Sequence, residues 1–315
     1  MNRNDPFYIS MFEQLPDIES RPNIGGRISS PSSYDSHVVT GYVHNLSSGG
    51  GFLIGTNLHT YKMSVNFMAR NNLAQCDYVE LRVGFDHTTN AFIAQDLIQR
   101  LTEPDKRFDK MKPTKPAKEV NICSKYTTTL GDRTLIVTDK TYPRYEHTLT
   151  ATKLLDECSA MGDLKKISLI AEENDFVTNT LQENNIDEIF TIKPNMPHNK
   201  QIVTCLLAIF TAKRLAASGS NVVLFVDNLS KLIRIYNNCL SASSGTATTR
   251  ASLVTPGYTV GAVSDLKQYF LSARALDDGG SLTVTAYINK PDPSNEWSQN
   301  LYDEFSDMAN TIITI

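Results

Sequence analysis

Two different patterns of apolar and polar positions divide the chain. Between residues 38 and 102, short β-branched and aromatic runs are separated by Gly and Asn turns, at 38–43, 52–54, 60–64, 78–83 and 91–94. About five short strands with such turns are typical of a small β barrel. From about residue 119 to residue 315, continuous apolar runs alternate with segments of helical spacing. That alternation predicts a doubly wound α/β domain around a parallel sheet.

The elements of the second domain follow from that alternation. Strands are predicted at 134–138, 166–171, 221–227 and 281–288, and helices at 149–158, 199–217 and 266–276. The helix at 199–217 is expected to end at Ser218 and Gly219, because glycine readily adopts the left-handed conformation that closes a helix.

Two further segments are poor in regular patterns. Residues 1–37 contain four prolines and a Gly-Gly pair, which predicts a flexible arm. Residues 103–118 carry six Lys or Arg against three Asp or Glu, with three prolines among them. This composition predicts an extended basic linker. Its cations are candidate phosphate contacts, with a solvated linker as the alternative: Lys106, Arg107, Lys110 and Lys112.

Composition excludes several classes of protein. The 315 residues are 41% apolar and 20% charged, which is ordinary for a globular protein. A net charge of −4 argues against a general nucleic-acid coat protein. No membrane span is predicted, because no apolar stretch is long enough. Secretion is not predicted either, because no secretory leader is found. Five cysteines without a CxxC pair predict reduced thiols in a cytoplasm. Six histidines without ligand spacing argue against a metal site. No metal and no cofactor are predicted.

The strand at 221–227 ends in Asp227, a position that resembles a Walker B carboxylate holding Mg²⁺ beside a nucleotide. The alternative is that Asp227 only caps the strand. A phosphate loop is expected after the strand at 134–138, where the residues of interest are Asp139, Lys140 and Arg144. No glycine lies between residues 131 and 162, and the Asp139 carboxylate would repel phosphate. A working phosphate loop is therefore not predicted.

The barrel contains a candidate nucleic-acid surface. Phe52 follows three glycines at 49–51, on a strand that resembles the first binding strand of a cold-shock barrel. Tyr61 and Lys62, on the next predicted strand, would add stacking and charge. The alternative is that Phe52 points into the barrel core.

The order of these elements resembles the bacterial transcription termination factor Rho family. Residues 226–237 look like the family's run "LDSITRLARAYN", and residues 267–283 look like "KRFFGAARNVEEGGSLT". Residues 301–305 are similar to "IYEEF", and residues 41–55 to "GVLEILPDGFGFLRS". The resemblance covers roughly residues 38–315. It implies a cold-shock or OB-like barrel followed by a RecA-like domain, in an ATP-driven hexameric RNA translocase.

The chain departs from the family at its functional motifs. The family's loop "APPKAGKT" corresponds to residues 138–145, where its glycine, lysine and threonine are absent and Arg144 lies near the lysine position. The resemblance maps the catalytic glutamate onto Glu172 and leaves it and Asp227 as vestiges. The family's channel loops correspond to residues 251–257 and 294–299, and both lack the lysine. The chain ends at Ile315, before the family's arginine finger.

The barrel is altered in the same way. One of the family's two strand aromatics is replaced by Gly50, and the arginine that follows them is replaced by Ile54. The family's stacking tyrosine aligns with Lys62, and Tyr61 lies beside it. Fewer stacking platforms are expected to weaken RNA binding.

These departures predict a Rho-like pseudo-ATPase, not an enzyme, that acts by binding. It is expected to inhibit Rho-dependent transcription termination by associating with Rho subunits, with other transcription machinery or with RNA, and to be capable of oligomerisation. Two alternatives stay open. One is a stand-alone binder of single-stranded RNA or DNA through the barrel and the linker. The other is an active RNA-dependent ATPase with an unorthodox phosphate site that uses Asp227 and Glu172.

Overall fold

The computed structural model describes residues 36–45, 50–87, 89, 91–114, 119–123, 126–138, 164–171, 186–243, 253–255, 258–277, 279–292 and 294–314. The chain divides into two units, Met1–Pro104 and Asp105–Ile315. The predicted arm at 1–37 lies outside the described residues except for its last two positions. The predicted helix at 149–158 also lies outside them.

The first unit is a closed barrel of five strands. They are β1 (His37–Asn45), β2 (Gly51–Gly55), β3 (Thr60–Met63), β4 (Tyr78–Asp86) and β5 (Ala91–Arg100). They close in the order β1, β2, β3, β5, β4, and every pair is antiparallel except β3 with β5. All five predicted strands are confirmed. A short helix, α1 (Val65–Arg70), was not predicted, although Ser64 caps it by accepting a hydrogen bond from the Phe67 amide.

The barrel core follows the two-residue period of its strands. Alternate side chains point inward and pack together with Phe67 and Met68 of α1. The strand residues in this core are Val39, Val43, Leu53, Tyr61, Met63, Val79, Leu81 and Val83. The intervening residues therefore point away from this core.

The second unit contains a mostly parallel sheet. Its strands are β6 (Pro113–Thr114), β9 (Arg133–Thr138), β10 (Leu164–Ile170), β11 (Glu188–Thr191), β12 (Asn221–Val226), β15 (Arg274–Leu276), β16 (Ser281–Asn289) and β17 (Thr311–Thr314). Two hairpins lie outside this sheet, β7 (Glu119–Cys123) with β8 (Tyr126–Thr129), and β13 (Leu253–Thr255) with β14 (Tyr258–Thr259). The parallel strands follow the order β11, β10, β12, β16, β9, β17. The short strands β15 and β6 pair antiparallel at the beginning of β16.

The described helices of this unit are α2 (His198–Ala217), α3 (Leu229–Ser243), α4 (Val260–Phe270) and α5 (Glu296–Ser306). Helix α2 packs on β10, β11, β12 and β16, which explains why its sequence is apolar over most of its length. It ends as predicted, with Gly219 in the left-handed region at a φ of 102°. The predicted fold class, an OB-like barrel followed by a RecA-like parallel-sheet domain, is confirmed by the two topologies.

The prediction of a helix at 266–276 is wrong in its position. Helix α4 ends at Phe270, and Arg274 to Leu276 form strand β15. Residues 274 and 275 pair with β16, and the Leu276 amide donates to the Gly280 carbonyl. Apolar residues at 273 and 276 fit a helical spacing as well as a strand. The backbone partners on β16 decide the outcome, and sequence spacing does not report them.

The predicted linker also differs from an extended spacer. Residues 105–114, here called the strap, begin within a 3₁₀ turn at Pro104–Lys106, form a second one at Phe108–Lys110 and then form strand β6. Strand β6 pairs with β15, and the Phe108 side chain is buried. The strap is therefore packed on the second unit. None of the described helices is long and apolar enough to cross a membrane.

A buried ion pair fixes the loop that precedes β4. The Arg100 guanidinium lies 3.4 Å from the Asp77 carboxylate, whose side chain is fully buried. Arg100 also donates to the carbonyl oxygens of Asn71 and Asn72. The carboxylate in turn accepts a hydrogen bond from the Ala74 amide. Arg100 thus joins the end of β5 to a loop more than twenty residues earlier.

We expect Arg100→Met to destabilise the barrel by about 3 kcal/mol, because removing one partner leaves the Asp77 carboxylate buried without its cation. The measurement is hydrogen exchange of the β4 and β5 amides in the full chain. Arg82→Met is the matched control, since Arg82 and Asp96 form an exposed pair at 3.9 Å, and should cost less than about 1 kcal/mol. Equal effects of the two substitutions would contradict this assignment.

Candidate nucleotide and nucleic-acid sites

Asp227 ties together the carboxyl ends of two neighbouring strands. It directly follows β12, and its side chain is only 6% exposed. Its Oδ1 accepts a hydrogen bond of 2.7 Å from the amide of Ala171, the residue that follows β10. Its own amide donates to the Leu169 carbonyl at 3.1 Å. These two hydrogen bonds join the ends of β10 and β12, as expected if Asp227 caps the strand, which is the alternative that the sequence left open to a Walker B role.

A second polar pair lies at the carboxyl end of the sheet, between β9 and β16. Thr138 is the last residue of β9, and its hydroxyl group is hydrogen-bonded to the phenol of Tyr287 on β16. Both side chains are buried, and burial raises the pKa of the Tyr287 hydroxyl above its usual range. The Thr138 carbonyl accepts from the Lys290 amide at 2.7 Å. The polar atoms at the end of β9 are therefore used inside the sheet.

Sequence reasoning missed Tyr287. The signal was present, because a tyrosine stands in an otherwise apolar and threonine-rich strand, and a buried phenol needs a hydrogen-bond partner. The predicted phosphate-loop residues Asp139, Lys140 and Arg144 lie outside the described residues, and so does Glu172. Of the predicted nucleotide-site residues, the structure places Asp227.

The prediction that Tyr61 offers a stacking surface is wrong in this structure. Tyr61 is 2% exposed and belongs to the barrel core. Its ring makes edge contacts with His37 and Phe92, at centroid distances of 6.0 and 6.1 Å. Its hydroxyl oxygen accepts a hydrogen bond from Asn57 Nδ2 at 2.7 Å. A base cannot stack on a ring that is only 2% exposed.

Phe52 points away from the core, yet it is also buried. It lies opposite His44 on β1 and Lys62 on β3, so these three side chains share the outer face. Phe52 is 7% exposed and Ile54, on the same face of β2, is fully buried. Lys62 is exposed. Of the three predicted binding residues of the barrel, only Lys62 is therefore open to a ligand.

The predicted linker cations belong to the strap of the second unit. Lys106, Lys110 and Lys112 are exposed, whereas Arg107 is buried. The structure brings them together along a stretch of seven residues, because the strap is held by β6 and Phe108.

The chain resembles transcription termination factor Rho from several bacteria. It is 30% identical to the Streptosporangium roseum protein over 186 residues, which is 57% of this chain and 44% of that protein. It is 29% identical to the Rhodopirellula baltica protein over 130 residues, 41% of this chain and 24% of that one. The Chromobacterium violaceum protein is 28% identical over 149 residues, 47% of this chain and 33% of that one. The chain spans less than half the length of these curated relatives. No family model matches.

Among solved structures, an ATPase from the type III secretion system of pathogenic bacteria has a TM-score of 0.48 at 18% identity, with 60% of this chain and 52% of that one covered. An ATP synthase subunit from Nanoarcheaum equitans also has a TM-score of 0.48, at 15% identity, with 65% and 52% covered. The curated relatives confirm the resemblance to Rho that the sequence motifs indicated.

If Asp227 caps the strands, Asp227→Ala should destabilise the second unit by about 2 kcal/mol, because the Ala171 amide loses a charged acceptor in a buried place. Asp227→Asn retains a carbonyl oxygen as acceptor and should cost about half as much. Urea unfolding followed by the fluorescence of Trp297, the single tryptophan, measures both. Unchanged stability in Asp227→Ala would show that the hydrogen bond has no capping role.

Phe52→Ala should destabilise the barrel by about 3 kcal/mol, because it removes a buried ring. Lys62→Ala, on the neighbouring strand position, should change stability by less than about 0.5 kcal/mol. Hydrogen exchange of the β2 and β3 amides reports both variants. A Phe52→Ala protein as stable as the wild type would mean that the ring is open to solvent.

Proposed function

We propose that the chain is a Rho-like protein that acts by binding and not by hydrolysing ATP, and that it inhibits Rho-dependent transcription termination. Its partners are Rho subunits, other transcription machinery or RNA. The observation that carries the proposal is the use of polar groups at the carboxyl edge of the sheet. The Asp227 carboxylate and the Thr138 hydroxyl both bond to neighbouring strands.

The sequence beyond this edge supports the same conclusion. Residues 139–145 contain no glycine to let backbone amides wrap a phosphate, and Pro143 has no amide proton to donate. A nucleotide site without a phosphate loop loses the backbone donors and the lysine that stabilise the transferred phosphoryl group.

The retained scaffold is the reason for proposing a protein partner. The described core strands and α2 keep a buried apolar interior, and the matched relatives carry the name of a transcription termination factor. A chain that keeps the packing of a subunit, but not its catalytic edge, can occupy a subunit's place without turnover. An assembly of this kind joins the chain to a different protein, so it does not require the chain to associate with itself.

Binding of single-stranded RNA or DNA by the chain alone is the second candidate. The exposed lysines of the strap favour it, whereas the burial of Phe52 and Tyr61 removes the stacking platforms expected of the barrel. The strap therefore supports this candidate better than the barrel does.

The proposal is tested by size-exclusion chromatography with light scattering, on the full chain alone and mixed with Rho from the same host. We expect a mixed assembly, and lower termination efficiency when the chain is added to a Rho-dependent transcription reaction. Separate elution of the two proteins, or an assembly that leaves termination unchanged, would overturn the proposal. Asp227→Asn should behave like the wild type in both measurements, because no turnover is involved.

A further inference from the structure

The strap carries exposed lysines on a backbone that is held in place. Strand β6 pairs with β15 through Thr114 and Ala275, and the Asp277 amide donates to the Lys112 carbonyl at 3.2 Å. The Lys110 amide closes a turn on the Arg107 carbonyl at 3.0 Å. Cations on a fixed backbone lose less conformational entropy when they bind a ligand than cations on a flexible linker do.

Phe108 anchors the strap between cations from two other elements. The ring is 3% exposed. The Arg274 guanidinium of β15 lies 4.1 Å from the ring centroid, and the Lys213 ammonium of α2 lies 5.4 Å from it. Both distances are in the range of cation–π contacts. Arg274 also pairs with the Asp109 carboxylate of the strap at 3.6 Å. The ring thus holds two cations from separate elements near the strap.

The charge at this place is positive in an acidic chain. The strap and its neighbours carry six cations, Lys106, Arg107, Lys110, Lys112, Lys213 and Arg274, and four carboxylates, Glu103, Asp105, Asp109 and Asp277. The whole chain has a net charge of −4. Within the part of the chain that the structure describes, Lys110, Lys112 and Lys213 form no ion pair.

We propose that the strap, with Lys213 and Arg274, is a binding site for the phosphate backbone of single-stranded nucleic acid. This inference rests on the RNA-binding part of the proposed function and places the contact on the second unit. The one aromatic ring of the strap is buried against cations, so bases have no platform for stacking there. Binding is therefore independent of base sequence and strongly dependent on salt. Each phosphate contact contributes about 0.7 to the slope of log affinity against log salt.

The test is fluorescence anisotropy of a labelled 12-nucleotide oligouridine, titrated with the full chain at several salt concentrations. Lys110→Glu with Lys112→Glu reverses two charges and leaves Phe108 in place. This double variant should weaken binding at least tenfold and reduce the salt slope by about 1.4, which is two phosphate contacts. Lys193→Glu is the matched control, because Lys193 is an exposed lysine just after β11, at the opposite end of the sheet from β6, and it should bind like the wild type.

Phe108→Ala provides a second, independent variant, since it keeps every charge and removes the anchor. It should weaken binding and increase tryptic cleavage after Lys106 and Lys110. No oligouridine binding by the wild type, binding without salt dependence, or an equal loss in Lys193→Glu would overturn the inference. The titration contains neither Rho nor nucleotide. A negative result therefore removes the strap site and leaves association with Rho to be decided by its own measurement.

Discussion

The arrangement of the second unit depends on one requirement, that polar groups buried at the end of a parallel sheet must find partners. In open α/β sheets, ligands bind outside the carboxyl ends of the strands. Here the Asp227 carboxylate accepts the Ala171 amide, and the Thr138 hydroxyl pairs with Tyr287. The polar groups at the carboxyl end of this sheet are therefore stabilised by hydrogen bonds within the chain. That stabilisation supports the proposal that the chain acts without hydrolysing ATP.

In the barrel, the aromatic rings that were predicted to face a ligand are also buried. The two-residue period of its strands directs Tyr61 inward and Phe52 outward, yet both rings are buried. The remaining open positive charge on the described strands β2 and β3 is Lys62. The exposed cations of the strap, by contrast, are on a segment anchored by Phe108. Of the described residues predicted to bind nucleic acid, those that are exposed are therefore lysines, and the two aromatic residues are buried.

Sequence reasoning predicted the barrel strands, α2 and the central strands, because strong local patterns determine them. It misplaced the helix at 266–276, since the pairing of Arg274 and Ala275 with β16 depends on a distant strand. It treated the strap as a spacer because its prolines and lysines hide Phe108, whose cation partners are more than a hundred residues away. Predicting the side of the barrel on which Tyr61 lies would have needed the strand register. Predicting the partner of Asp227 would have needed the identity of the neighbouring strand. In each case the missing information was a contact between residues distant in sequence.

The central claim is that the chain binds without turning over nucleotide, and ATP hydrolysis measures it most directly. The assay uses the full chain with Mg²⁺-ATP, in the presence and absence of single-stranded RNA, with Rho as the positive control. The account predicts no phosphate release above the buffer background under either condition. RNA-stimulated release that is lost in Asp227→Asn would contradict it and would show that the closed edge opens into an active site.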